Sequence, residues 1–250
     1  MPIWLQAGLW GLAAGGALVV GALVAWMVEV PQRIVASVMA FGAGVLISAL
    51  AFDLVDEAET KGGLTATVLG FLVGAVAYLL ANLVLAKRGA RHRKRSGEQQ
   101  PSEQEQSGSG SAIAIGALLD GIPESVVLGL SLLGGNGIGI PVLAAIFISN
   151  LPEGLSSAAG MKHNGRSARY VFGVWVGVAV ASGAAGLLGC LLLQGAPNGL
   201  VAAITALAAG AILTMVADTM IPEAFERTHL YAGLIATLGF LTAFTIGRAG

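Results

Sequence analysis

Two apolar stretches carry acids at a depth where acids are costly. Leu119-Asp120-Gly121-Ile122-Pro123-Glu124-Ser125 and Ser149-Asn150-Leu151-Pro152-Glu153-Gly154 each set a Pro-Glu pair near the middle of a long hydrophobic run. An ionisable side chain inside such a run marks a functional site by default, because only a partner, a cavity or an ion offsets its desolvation. Asp120 and Glu124 are spaced i,i+4, as are Ser149 and Glu153, so each pair shares one face of a helix. The prolines add acceptors: Pro123 and Pro152 each remove a helical hydrogen bond and free the carbonyl four residues earlier, at Leu119 and Ile148. Carboxylates, an amide oxygen, hydroxyls and free carbonyls make an oxygen-rich set suited to a divalent cation. The metal ligands expected are Asp120, Glu124, Ser149, Asn150 and Glu153. A +2 ion would offset the repulsion among three carboxylates. A single Pro-Glu pair could be a structural kink; two on consecutive runs, echoed by Ile221-Pro222-Glu223-Ala224, favour a site.

The elements that must position these residues follow from composition. With 56% hydrophobic and 11% charged residues and a mean hydropathy of +0.82, the chain falls outside the soluble range, in which about a quarter of residues are charged. The apolar runs last about 20 residues, the length of a membrane-crossing helix and twice that of a barrel strand. The expectation is an all-α polytopic membrane protein with eight transmembrane helices at about 3–27, 34–57, 64–86, 111–133, 138–161, 170–193, 200–225 and 230–246. The first run lacks a basic leader and exceeds the core of a signal peptide, so it counts as a span. At 1.5 Å per residue, Glu124 lies roughly 20 Å from Ser111, centrally in a hydrocarbon core of about 30 Å. Cys190, the one cysteine, sits inside a span and can form no intrachain disulfide.

Most connections are a few residues long. The exception, 87–110, opens with Lys87, Arg88, Arg91, His92, Arg93, Lys94 and Arg95 and continues as Ser/Gln/Glu/Gly-rich sequence. With no apolar residue to bury, it reads as a disordered cytoplasmic loop. Placing it inside puts every Lys and Arg except Lys61 and Arg248 on the cytoplasmic face, and both termini on the outer face of the cell membrane. Gly11 and Gly15, Gly70 and Gly74, and Gly173 and Gly177 are small-xxx-small pairs expected to let helices pack closely.

The stretch from Ala40 to Ala58 resembles that from Ala206 to Ala224 without gaps: Ala40, Ala43, Gly44, Ala51, Glu57 and Ala58 match Ala206, Ala209, Gly210, Ala217, Glu223 and Ala224. The two spans run in opposite directions by the topology above. Inverted repeats are a recurring construction of secondary transporters, so a three-two-three (3+2+3) inverted-repeat bundle is expected, with spans four and five between the repeats. Asp53, Asp56 and Glu57 then lie near the outer side, and Asp218 and Glu223 near the inner. Asp53, Glu57, Asp218 and Glu223 are weaker candidates for an entry and exit pathway.

At these residues the chain resembles the ZIP (Zrt/Irt-like) family of metal-ion transporters, whose fourth and fifth spans carry His-Asn-x-Pro-Glu-Gly-like motifs. The resemblance covers essentially all eight spans and implies uptake of divalent metal towards the cytoplasm. Carried over by position, Asp120 stands where the family usually has a metal-binding His and Gly121 where it has Asn, while Pro123 and Glu124 match; Ser149 again occupies a site often His or Gln. His92, His163 and His229 all fall in connections. Span six offers only Ser182 as a central polar side chain, and Gly121 can supply no side-chain ligand, which leaves a second metal position without donors.

The expectation is therefore a transporter of zinc, with manganese and iron(II) also suited, and not an enzyme: Ser125 and Ser149 have no His in their membrane plane to activate them. The metal is cargo and no cofactor is expected. Partners are the metal ions and membrane lipid, with no nucleic acid, and a homodimer is compatible with the sequence. The alternatives are a proton-coupled transporter of a small organic solute and a non-transporting membrane metal sensor. Carboxylate and carbonyl donors suit manganese better than imidazole does. Competitive uptake into proteoliposomes is expected to show comparable Zn2+, Mn2+ and Fe2+ flux, and a strong zinc preference contradicts this.

Overall fold

The computed structural model describes residues 1–96, 99–134 and 140–249. Among them all regular structure is helical: α1 (Ile3–Met27), α2 (Gln32–Ala49), α3 (Val55–Leu85), α4 (Ser109–Ser131), α5 (Ile140–His163), α6 (Ala168–Leu193), α7 (Asn198–Met215), α8 (Ile221–Thr228) and α9 (Tyr231–Ala249). Seven helical stretches among the described residues are long and apolar enough to cross a membrane. One of them, Gln32–Ala90, is broken at Gly63, whose φ of 76° and ψ of 166° suit only glycine. The expected start of the fifth span at 138 lies outside the described residues.

Local chemistry sets the ends. Pro31 and Pro197 stand at the N-caps of α2 and α7 with φ of −55° and −56°, close to the value a helix needs. Ser167 caps α6, its hydroxyl accepting from the Tyr170 N–H.

Helix α1 lies against α5 and α6, α4 against α6, α2 against α9 and α5, and α3 against α7. Missing side chains make these approaches close. A Cβ on Gly74 would sit 1.8 Å from the Leu207 carbonyl oxygen, and one on Gly11 2.6 Å from that of Ser182. Gly70 and Gly15 likewise abut α7 and α6. The pair Gly173 and Gly177 behaves differently from expectation: among the described residues no neighbouring atom comes within 4 Å of a Cβ at either. Both are on the exposed side of α6, whose buried side runs through Val171, Trp175, Val178, Ser182 and Gly186.

The two similar stretches share more than sequence. A π-helical segment follows α2 at Leu50–Leu54 and α7 at Val216–Met220, at matching positions of the ungapped alignment. Gly44 approaches the Ala236 carbonyl of α9 and Gly210 the Phe71 carbonyl of α3, again at matching positions.

The 87–110 connection departs from its reading as a disordered loop. Arg93, Lys94, Ser96 and Gln100 are buried, while Gly97 and Glu98 lie outside the described residues. A π-helical turn at Ala86–Ala90, with Gly89 at φ 98°, ends α3 and turns the chain back into the bundle. The reading from composition counted apolar side chains, whereas this segment is held by charge pairing with acids inside the bundle.

Two substitutions test the packing. Gly74→Val is expected to lower stability by at least about 1–3 kcal/mol through overpacking, read as a reduced melting temperature in detergent. Gly173→Val is expected to leave it nearly unchanged.

Candidate metal centre

Helices α4 and α5 bring the central acids together. Asp120, Glu124 and Glu153 are 3%, 1% and 3% exposed, and the electrostatic neighbours of Glu124 are Glu153, Lys94 and Asp120. Lys94 Nζ lies 3.5 Å from Asp120 Oδ2 and 2.6 Å from Glu153 Oε2, so acids of the two helices share one cation. Their surroundings include two cations from the 87–110 connection.

Arg93 reaches Asp120 with two nitrogens, Nε to Oδ2 at 2.8 Å and Nη2 to Oδ1 at 2.7 Å. This is the planar fork by which guanidinium recognises carboxylate. Tyr78 Oη donates to Asp120 Oδ1 at 2.6 Å and accepts from Arg93 Nη2 at 2.7 Å. Arg93 Nη1 donates to Asn82 Oδ1 at 2.8 Å and to the Ala90 carbonyl at 3.2 Å. Tyr78 and Asn82 sit one helical turn apart on α3, so one face of that helix holds the guanidinium.

Lys94 is placed differently. Its Nζ lies 2.6 Å from Glu153 Oε2 and 3.5 Å from Asp120 Oδ2, an ion pair without a well-aligned hydrogen bond among the described residues. Glu124 Oε1 and Glu153 Oε1 are buried without a hydrogen-bond partner among the described residues. Beside Glu153 lies a cavity of about 10 Å³, lined also by Asp120, Asn150, Lys94 and Trp175, room for about one water. His92, next in the chain, is pushed below the ordinary imidazole value by burial and by Arg95 and Arg91, so it adds no charge at neutral pH.

The other expected ligands are less direct. Ser149 Oγ donates to the Ile146 carbonyl of its own helix at 3.0 Å, and Asn150 Nδ2 donates to the Ala14 carbonyl of α1 at 2.9 Å. That bond ties α5 to α1 and leaves the Asn150 amide oxygen free of this role. Ser182 stands beside Gly121, its Oγ 3.4 Å from where a Cβ would be. Among the described residues no three His, Cys, Asp or Glu side chains are grouped to hold a metal ion in this arrangement: Arg93 takes both oxygens of Asp120, and Lys94 takes Glu153.

The outlying acids separate. Glu223 is buried and accepts from the Ser96 N–H at 3.1 Å, Ser96 Oγ at 2.9 Å, Ser156 Oγ of α5 at 3.2 Å and Arg95 Nη1 at 3.3 Å. Asp218 is exposed. Asp53 lines a 200 Å³ pocket with Asp56, Phe52 and Arg248, and Glu57 pairs with Lys61 one turn along its own helix. Sequence reasoning missed Arg93, Lys94, Tyr78 and Asn82. The signal was present: three central acids require compensating positive charge, and a basic run begins close to the end of α3.

No family model matches the chain, and no curated protein matches it.

Tyr78→Phe removes two hydrogen bonds at the Arg93–Asp120 pair without changing shape. It is expected to cost about 1–3 kcal/mol, a fall of several degrees in melting temperature, while Tyr231→Phe on the exposed surface is expected to change nothing measurable.

Proposed function

We propose that the protein carries divalent metal cations across a membrane, towards the cytoplasm, through a site whose principal ligands are Glu124 and Glu153. The observation that carries this reading is a pair of buried carboxylates on α4 and α5, electrostatic neighbours of one another, each with an oxygen lacking a hydrogen-bond partner among the described residues. Buried carboxylates in an apolar bundle need a cation. The Asn150 amide oxygen and Asp120 complete the sphere when the resident side chains move aside. Zn2+ is the cargo proposed, with Mn2+ and Fe2+ carried comparably by the same oxygen donors.

The architecture proposed is eight spans, the 59-residue stretch Gln32–Ala90 contributing two, one on each side of Gly63. Spans one to three and six to eight form inverted repeats around α4 and α5. The matched π-helical segments support this. So does the pairing of helices: α2 with α9 mirrors α7 with α3, and α1 with α5 mirrors α6 with α4. Such repeats rocking about a central pair would give alternating access. Both termini then face outward and 87–110 is cytoplasmic, by the bias of Lys and Arg. The Pro-Glu motifs of α4 and α5, with this arrangement, support membership of the ZIP family. Asp53 and Glu57 would serve the outer approach and Glu223 the inner exit; Asp218, being exposed, has the weakest claim.

Glu153→Ala is expected to abolish radiometal uptake by proteoliposomes while the purified protein remains monodisperse. Uptake at the wild-type rate overturns the assignment.

A further inference from the structure

The cation at the centre of this structure is part of the chain. Lys94 places its ammonium against Glu153 and near Asp120, the position the transport reading gives to cargo. The segment carrying it is received by a cradle in both central helices. A Cβ on Gly116 of α4 would lie 2.5 Å from Arg93 Cδ, and one on Gly160 of α5 2.1 Å from the Arg95 carbonyl and 2.4 Å from Gln100 Nε2. Two helix faces thus lack side chains where the segment crosses them.

Polar contacts then fasten it. Gln100 Nε2 lies 3.1, 2.9 and 3.1 Å from the Arg93, Arg95 and Ser157 carbonyl oxygens and shares its two N–H groups among them. The single Ser156 hydroxyl hydrogen is shared between the Lys94 carbonyl and Glu223 Oε1. Ser96 and Arg95 take Glu223, the acid assigned to the inner exit. One stretch of chain therefore occupies the central acids and the exit acid together.

From this we infer that residues 93–96, braced by Gln100, form a tethered cationic plug. Lys94 stands in for the transported ion, Arg93 latches the segment through Asp120, and cargo binds only when the segment withdraws. The inference rests on the transport reading. The two cations differ in a way that fits these roles: Arg93 is bonded at all three nitrogens, whereas Lys94 is paired without alignment and leaves Glu153 Oε1 and Glu124 Oε1 unpartnered. The ammonium satisfies the charge and not the geometry, which a multidentate metal would satisfy better.

An intramolecular competitor lowers apparent affinity by the fraction of molecules that are open. Lys94→Met removes the competitor, so Mn2+ binding to the full-length protein, followed by electron paramagnetic resonance, is expected to tighten by about tenfold or more. A second experiment leaves Lys94 in place. Ser96→Cys with Ser156→Cys, in a Cys190→Ser background, can be oxidised to lock the segment, since both hydroxyls bond Glu223 Oε1. Uptake is expected to stop on oxidation and return with reductant. If the wild type binds and transports metal but Lys94→Met gains no affinity, or the locked protein transports as fast as the reduced one, the plug is refuted and the transport reading stands. If neither wild type nor Lys94→Met binds metal, both fall.

Discussion

Everything in the bundle answers to one electrostatic constraint: negative charge removed from water must be matched within a few ångströms by positive charge. Moving a carboxylate from water to protein interior costs several kcal/mol per ion even after relaxation, and a buried pair regains this only with good geometry and full hydrogen bonding. Asp120 meets that standard. Its two oxygens take the Arg93 fork and Tyr78, and the remaining guanidinium donors reach Asn82 and Ala90. Glu153 meets it in part: Lys94 Nζ lies 2.6 Å from its Oε2, while its Oε1 has no hydrogen-bond partner among the described residues.

The scaffold is what allows so much charge at the centre. Small residues let α1, α3, α6 and α7 approach through their backbones, and in a membrane such van der Waals contact replaces the hydrophobic driving force that water would supply. The same economy of side chains gives room at Gly116 and Gly160 for a loop to enter between α4 and α5. Asn150 adds a bond to the Ala14 carbonyl, so α5 is tied to α1 at the level of the acids. The helix carrying Glu153 is thus held laterally on one side and faces charge on the other.

Much of this was legible from residue order. Hydropathy located the apolar helices, and the i,i+4 spacing of Asp120 with Glu124 placed both on the face that meets Glu153. The match of Ala40–Ala58 with Ala206–Ala224 anticipated two stretches that share a π-helical segment and a glycine contact at equivalent positions. The central cations were not legible in the same way. Low apolar content argues that a segment cannot form a core of its own, and says nothing of whether buried acids elsewhere will hold it. Tyr78 and Asn82, one turn apart on α3, were the clue that another charged group arrives there. Gly173 and Gly177 show the converse: the spacing that brings backbones together at Gly70 and Gly74 lies here on an exposed face, because a motif does not say which side of a helix has a neighbour.

In the transport reading, the positive charge beside Glu124 and Glu153 is exchangeable for a metal ion. Anomalous diffraction at the zinc edge, from crystals of the full-length protein grown with Zn2+, addresses this directly. A peak between the two glutamates, with the Lys94 ammonium displaced from Glu153, is the expected result. Zinc absent from that position, with Lys94 still on Glu153 at saturating metal, would contradict the transport reading.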